Sequence, residues 1–137
     1  VGFCIYVGMF ENESAYRVPT AAIRERFAGH IGSETNSTWR LAFDEGPSLA
    51  EVTLVGEDRI DGFAIDRPPD YRVFWEIIAG ILRDFPCLLY WPYRKPTGVI
   101  GSLAVLPHIP KEFIQAMGIP LVSTDPERIR QYVRENS

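Results

Sequence analysis

Residues 63–91 read FAIDRPPDYRVFWEIIAGILRDFPCLLYW. Tyr71, Phe74, Trp75, Ile78, Ile81, Leu82 and Phe85 recur at three- and four-residue steps, which predicts an amphipathic helix over about Asp70 to Phe85. Asp70 is placed to cap its start. Pro86 ends it, because the residue before a proline disfavours helical backbone. The flanking runs, Ile60 to Ile65 and Cys87 to Trp91, read as strands. Strand, double-proline turn, helix and strand in this order put a long aromatic-rich helix across a sheet. Burying such a stripe stabilises by roughly 1.5–3 kcal/mol per large side chain.

Working outward, Phe3 to Phe10 form a first strand, apolar on both faces and therefore central. Pro19 and Gly29 bracket a short helix with Ile23 and Phe27 on one face. His30 to Thr38, rich in Gly, Ser, Thr and Asn, reads as a loop. Trp39, Leu41 and Phe43 alternate with Arg40 and Ala42 in one strand, and Val52 and Leu54 alternate with Glu51 and Thr53 in the next. With residues 60–65 these make an antiparallel meander joined by DEGPS and GEDR turns. Beyond Trp91 come a loop from Pro92 to Gly98, an extended stretch from Val99 to Val105, and a short helix between Pro110 and Gly118. A strand at Leu121 to Ser123 follows, then a terminal helix opened by a Thr124/Glu127 capping box, with Ile129, Tyr132 and Val133 on its apolar face. The expected fold is one α+β domain over residues 1–137, a mainly antiparallel sheet with helices packed on it.

Composition narrows the function. A chain of 137 residues buries enough surface to fold without a metal or disulfide framework. Its net charge of −4 disfavours binding to a phosphate backbone, and its basic residues are dispersed. No apolar run approaches the roughly 20 residues of a membrane span. The apolar first ten residues lack a preceding positive segment and make a poor signal peptide, although a start at Val1 rather than Met leaves a trimmed leader open. Cys4 and Cys87 read as small buried hydrophobes of a reducing compartment, with a disulfide between paired strands left open.

Catalytic patterns are weak. His30 and His108 are the only histidines, and no Cys/His spacing matches a zinc site. Neither thiol stands in a setting that would activate it beside a histidine. Gly98-Val-Ile-Gly101-Ser after Lys95 has the wrong spacing for a phosphate loop and fits a turn or bulge. Arg94-Lys95 beside Trp91 and Tyr93 is too small a cluster for a single-strand platform, so the two rings read as strand-end packing. No cofactor or metal is called for.

The acidic turns carry the remaining signal. Asp44 and Glu45 lie in one, and Glu57, Asp58 and Asp61 in the next. They read either as a solvated rim or as a negative patch for a basic protein partner, with Trp39 and Tyr93 as aromatic anchors.

The pieces IYVGMFENESAYRVPTAAIRERF, WRLAFDE, GFAIDRPPDYRVFWEIIAGIL, LLYWP and LPHIPKEFIQAMGIPLV, followed by the terminal helix, span nearly the whole chain. In this order they resemble small bacterial cytoplasmic proteins of the kind that act as immunity partners of secreted antibacterial toxins. The shared motifs are structural: Arg67-Pro68, Trp75, Trp91-Pro92 and Gly118. The resemblance implies a cytoplasmic, non-enzymatic protein that binds one cognate toxin and occludes it, and it carries over no catalytic residue. Two alternatives stand beside it. One is a small-molecule-binding or weakly enzymatic domain with a pocket between sheet and aromatic helix, near Tyr71, Trp75 and Tyr90. The other is a homodimeric adaptor.

Overall fold

A computed structural model describes residues 3–137 of the chain. One mixed sheet organises them. Its strands are β1 (Cys4–Glu11), β2 (Ser14–Ala15), β3 (Val18–Pro19), β4 (Ile31–Glu34), β5 (Thr38–Leu41), β6 (Glu51–Gly56), β7 (Arg59–Asp66), β8 (Cys87–Trp91), β9 (Thr97–Ile100) and β10 (Leu121–Val122). Their order across the sheet is β10-β9-β8-β1-β7-β6-β5-β4, with β2 and β3 paired to the ends of β1 and β7. All pairings are antiparallel except β10 with β9. The α+β expectation therefore holds.

The helices are α1 (Thr20–Arg26), α2 (Arg72–Asp84), α3 (Lys111–Met117) and α4 (Pro126–Glu135), with a 3₁₀ helix at Leu103–His108. α1, α2 and α4 cover one face, here the inner face. There Ile5, Val7, Trp39, Leu41, Val52, Phe63, Ile65, Leu89 and Trp91 meet Ile23, Phe74, Ile78, Ile129 and Val133. The strand period of two sends alternate residues outward. On the outer face Phe10, Leu88 and Ile100 pack under Val105 and Ile109 of the 3₁₀ segment, with Phe113 and Met117 of α3 alongside.

Several local expectations are revised. Residues 31–34 form an edge strand, not a loop: Glu34 pairs with Trp39 and Ile31 with Leu41, so the apolar residues of β5 supply burial that β4 does not need to supply itself. A bulge between Ile31 and Ser33 twists this edge and protects it from further pairing. Phe43 lies beyond β5, in an isolated bridge with Gly46. The stretch 99–105 splits at Gly101; Ser102 Oγ accepts the Ala104 N–H and starts the 3₁₀ helix. The cap of α4 is Asp125, which accepts from the Glu127 N–H, rather than Thr124. At the β6–β7 turn the register shifts, and Gly56 holds φ at 125°, a conformation L side chains rarely adopt.

Candidate functional site

The outer face is unevenly covered. The 3₁₀ segment and α3 lie over β9, β8 and the end of β1. On the β7–β4 side, cross-strand register builds two rows of outward side chains. Tyr90, Tyr6, Ala64, Thr53 and Thr38 form one, and Cys4, Asp66, Glu51 and Arg40 form the other. Arg40 donates to Glu51 at 2.6 Å, and Arg40, Thr53 and Val55 are exposed. From β7 to β5 the strands are paired on both sides, so this half is a stiff platform, indented toward the β4 edge where Ser33, Thr38, Arg40 and Glu51 line a hollow of about 320 Å³.

At its covered border lies an apolar groove of about 260 Å³, walled by Tyr90, Pro92 and Pro96 on one side and by Phe113, Met117 and Glu112 on the other. Gly98, opposite Tyr90 on β9, adds no side chain there. The Tyr90 ring meets Phe113 edge-on at 5.2 Å and stacks on Tyr6 at 5.5 Å. Tyr6 thus joins the groove to the platform.

The sequence-predicted contact residues do not assemble into one patch. β6, six residues long, connects the two acidic turns and spans roughly 20 Å. Asp44 and Glu45 therefore sit at one end of the sheet, and Glu57 and Asp58 at the other, with Asp61 just inside β7. Asp44, Glu57 and Asp58 are exposed. Trp39 is not an exposed anchor: it is 2% exposed, its ring lies 6.1 Å from Phe27, and the Arg24 guanidinium covers it. Tyr93 is half-buried. It meets Phe3 edge-on, its hydroxyl oxygen accepts the Cys4 N–H at 2.6 Å, and it donates back to the Cys4 carbonyl. Its hydroxyl ties the 92–96 loop to the start of β1. Trp91 is fully buried.

Glu45 has a structural task. Its two carboxylate oxygens accept the backbone N–H groups of Arg72 and Val73, at 3.2 and 3.3 Å, the unpaired donors of the first turn of α2. Asp70, expected to cap that helix, instead receives Arg130 of α4 at 2.5 Å, with Arg134 at 3.4 Å. The hydrogen bond from Arg130 holds the Asp70 carboxyl below the usual carboxylate range. A Glu45→Ala variant is expected to lose about 1 kcal/mol of stability, the usual worth of a helix cap, in urea unfolding. Asp44→Ala, one residue away, should stay within about 0.5 kcal/mol of wild type. Equal effects at the two positions would refute the capping role.

Tyr71, Trp75 and Tyr90, expected around one pocket, do not converge on one: Trp75 lines a surface hollow between α2 and the start of α4, and Tyr90 lines the groove on the outer face. Tyr71 donates to the Pro47 carbonyl at 2.6 Å and Trp75 Nε1 to the Pro69 carbonyl at 3.1 Å, both on the α2 side, whereas Tyr90 lies on the outer face. The two cysteines also part company. Cys87 points inward and is fully buried, and burial pushes its thiol up to about 12. Cys4, expected to be buried, is partly exposed in the outer row, and both thiols are free. Opposite faces of a sheet exclude a disulfide between them. His108 accepts the Asn12 N–H at Nδ1, 3.0 Å away, and its carbonyl accepts the Glu13 N–H, so it anchors the β1–β2 turn. His30 stacks on Phe43. Among the described residues no group of three His, Cys, Asp or Glu side chains is placed to hold a metal ion, and no helix is long and apolar enough to cross a membrane.

Sequence alone did not single out the groove. Its walls come from two segments, 90–96 and 112–117, brought together by the pairing of β8 with β9 and the return of α3 over them. The one available signal was the proline-bracketed WPYRKP turn, which predicts a rigid wall but not what faces it. No protein-family model, curated protein or solved structure matches the chain.

Proposed function

We propose that this domain is an immunity protein: a non-enzymatic, cytoplasmic inhibitor that binds one cognate bacterial toxin and blocks its active site or substrate access. The observation that supports this reading best is the outer face, where a stiff platform runs into an apolar groove. A platform of that shape offers contact to a macromolecular surface, and a bordering pocket offers it an anchor point. The exposed carboxylates Asp44, Glu57 and Asp58, with Asp61, lie at the two ends of the sheet, and the net charge of −4 favours encounter with a basic partner.

The test is capture of partners from the encoding organism with this domain as bait, followed by co-expression. The expected result is one stoichiometric protein, lethal when produced alone and harmless with this chain. Thr53→Arg on the platform should weaken that complex without unfolding the domain, since Thr53 is exposed. A partner bound equally by the Thr53→Arg variant would move the interface off the platform. If no toxic partner emerges under conditions where the gene is expressed, the immunity reading fails.

A further inference from the structure

The two ends of the sheet are finished differently. At one, the bulged β4 carries Glu34 paired with Arg24, so both twist and charge guard the edge. At the other, β10 pairs only with β9, and its far edge is open. Residues 96–107 and 113–124, which supply β9, most of the 3₁₀ helix and β10, are the two longest uncharged runs of the chain. Leu103, Ile119 and Val122 lie in them, 66%, 73% and 40% exposed. They are half of the large apolar side chains exposed among the described residues.

Hydrogen bonding fixes what β10 offers. Ser123 donates its N–H to the Ile100 carbonyl, and Leu121 and Val122 stand beside Val99 and Ile100. Alternate residues of a strand turn their N–H and C=O to the same neighbour, so Leu121 and Ser123 face β9 while Val122 turns both groups outward. Thr124, next of that parity, finds no acceptor for its N–H among the described residues. Pro120, the one before, has no N–H and presents only a carbonyl.

We propose that this edge receives the same edge of a second copy, β10 against β10 in antiparallel order about a two-fold axis. Val122 of one copy stands opposite Val122 of the other and exchanges two hydrogen bonds with it. Each Thr124 N–H then meets a Pro120 carbonyl, and the missing proline N–H leaves only the exposed Thr124 carbonyl in water. The charge pattern favours a second copy over another protein. A two-fold contact sets each side chain near its own twin, so a chain of net charge −4 opposes itself least where no charge stands. The contact is small beside the roughly 800 Å² per partner of a stable complex, so the dimer is weak, with a dissociation constant of about 0.1 mM. It does not depend on toxin binding, because the platform lies at the other end of the sheet.

Sedimentation equilibrium tests this. The wild-type mass should rise from one chain towards two as the concentration approaches about 1 mM. Val122→Lys and Val122→Glu should each stay single, because like charges then oppose one another across the axis, and an equimolar mixture of the two should dimerise again. Val122 is exposed, so both variants should keep the wild-type urea midpoint. A wild-type chain that stays single, a dimer untouched by Val122→Lys, or a mixture that stays single would each overturn the proposal. So would a single wild-type chain whose capture of a toxic partner is weakened by Val122→Lys, which would give the edge to that partner instead.

Discussion

Replacing Trp91 by alanine is expected to lower the unfolding free energy by about 3–5 kcal/mol, a large part of the 5–15 kcal/mol typical of a folded domain. Trp91 ends β8 on the inner face and has no exposed surface. Its ring meets Tyr132 edge-on at 6.2 Å, and its Nε1 donates to the Asn136 carbonyl at 3.0 Å, just past the end of α4. One side chain therefore both fills the core and fastens the terminal helix to the sheet. Tyr132 in turn shares a hydrogen bond with the Thr97 hydroxyl on β9 at 2.9 Å, so loss of the ring loosens a contact that reaches the neighbouring strand. Trp91→Phe keeps most of the volume and loses the hydrogen bond, and should cost about 1–2 kcal/mol. Urea unfolding measures both. A Trp91→Ala cost below about 1 kcal/mol would mean that α4 does not dock as described. Hydrogen exchange should locate the effect, with protection lost first in residues 126–135.

The parts of this architecture that sequence displays are those carried by local periodicity. α2 follows its seven-residue apolar stripe, and the buried faces of β5, β6 and β7 follow their alternation. The same alternation already argued against Trp39 as a surface anchor: it shares the parity of Leu41, and the pattern that marks a strand also marks which side of it is buried. The separation of the two acidic turns was legible too, since successive turns of a meander lie at opposite ends of the strand that joins them. Other features depend on residues far apart in the chain and left no local trace. Glu45 reaches across 27 positions to cap α2, and Asp70 across 60 to meet Arg130. A cap supplied from another segment obeys the same physics as a local one, but no spacing rule finds it. β4 escaped notice because an edge strand can borrow its burial from its neighbour. The groove escaped for a related reason: it belongs to two segments, each of which reads as ordinary packing when taken alone.

Gly101 joins these two levels, and Gly101→Ala is expected to cost about 2–4 kcal/mol despite adding a single methyl group. A β-carbon built there falls on the Leu82 carbonyl oxygen and lies 2.6 Å from the carbonyl carbon, in the last turn of α2. The obstacle is helix backbone rather than the end of a flexible side chain, so no change of rotamer relieves it. The junction between β9 and the 3₁₀ helix must move away from α2 instead. That junction leads into the layer that covers half of the outer face, including Val105, Ile109 and the α3 wall of the groove. Two consequences should therefore appear together in Gly101→Ala: a lower urea midpoint, and displaced backbone amide signals at Ala116 and Met117 under conditions where the variant is still folded. The β4–β7 half is separated from this junction by β8 and β1 and should keep its amide spectrum. A variant with wild-type stability would show that the chain passes α2 at a greater distance than the structure gives. A destabilised variant with unmoved Ala116 and Met117 signals would show that the groove does not depend on this approach, and that α3 is held over the sheet by its own contacts with Phe10 and Tyr90.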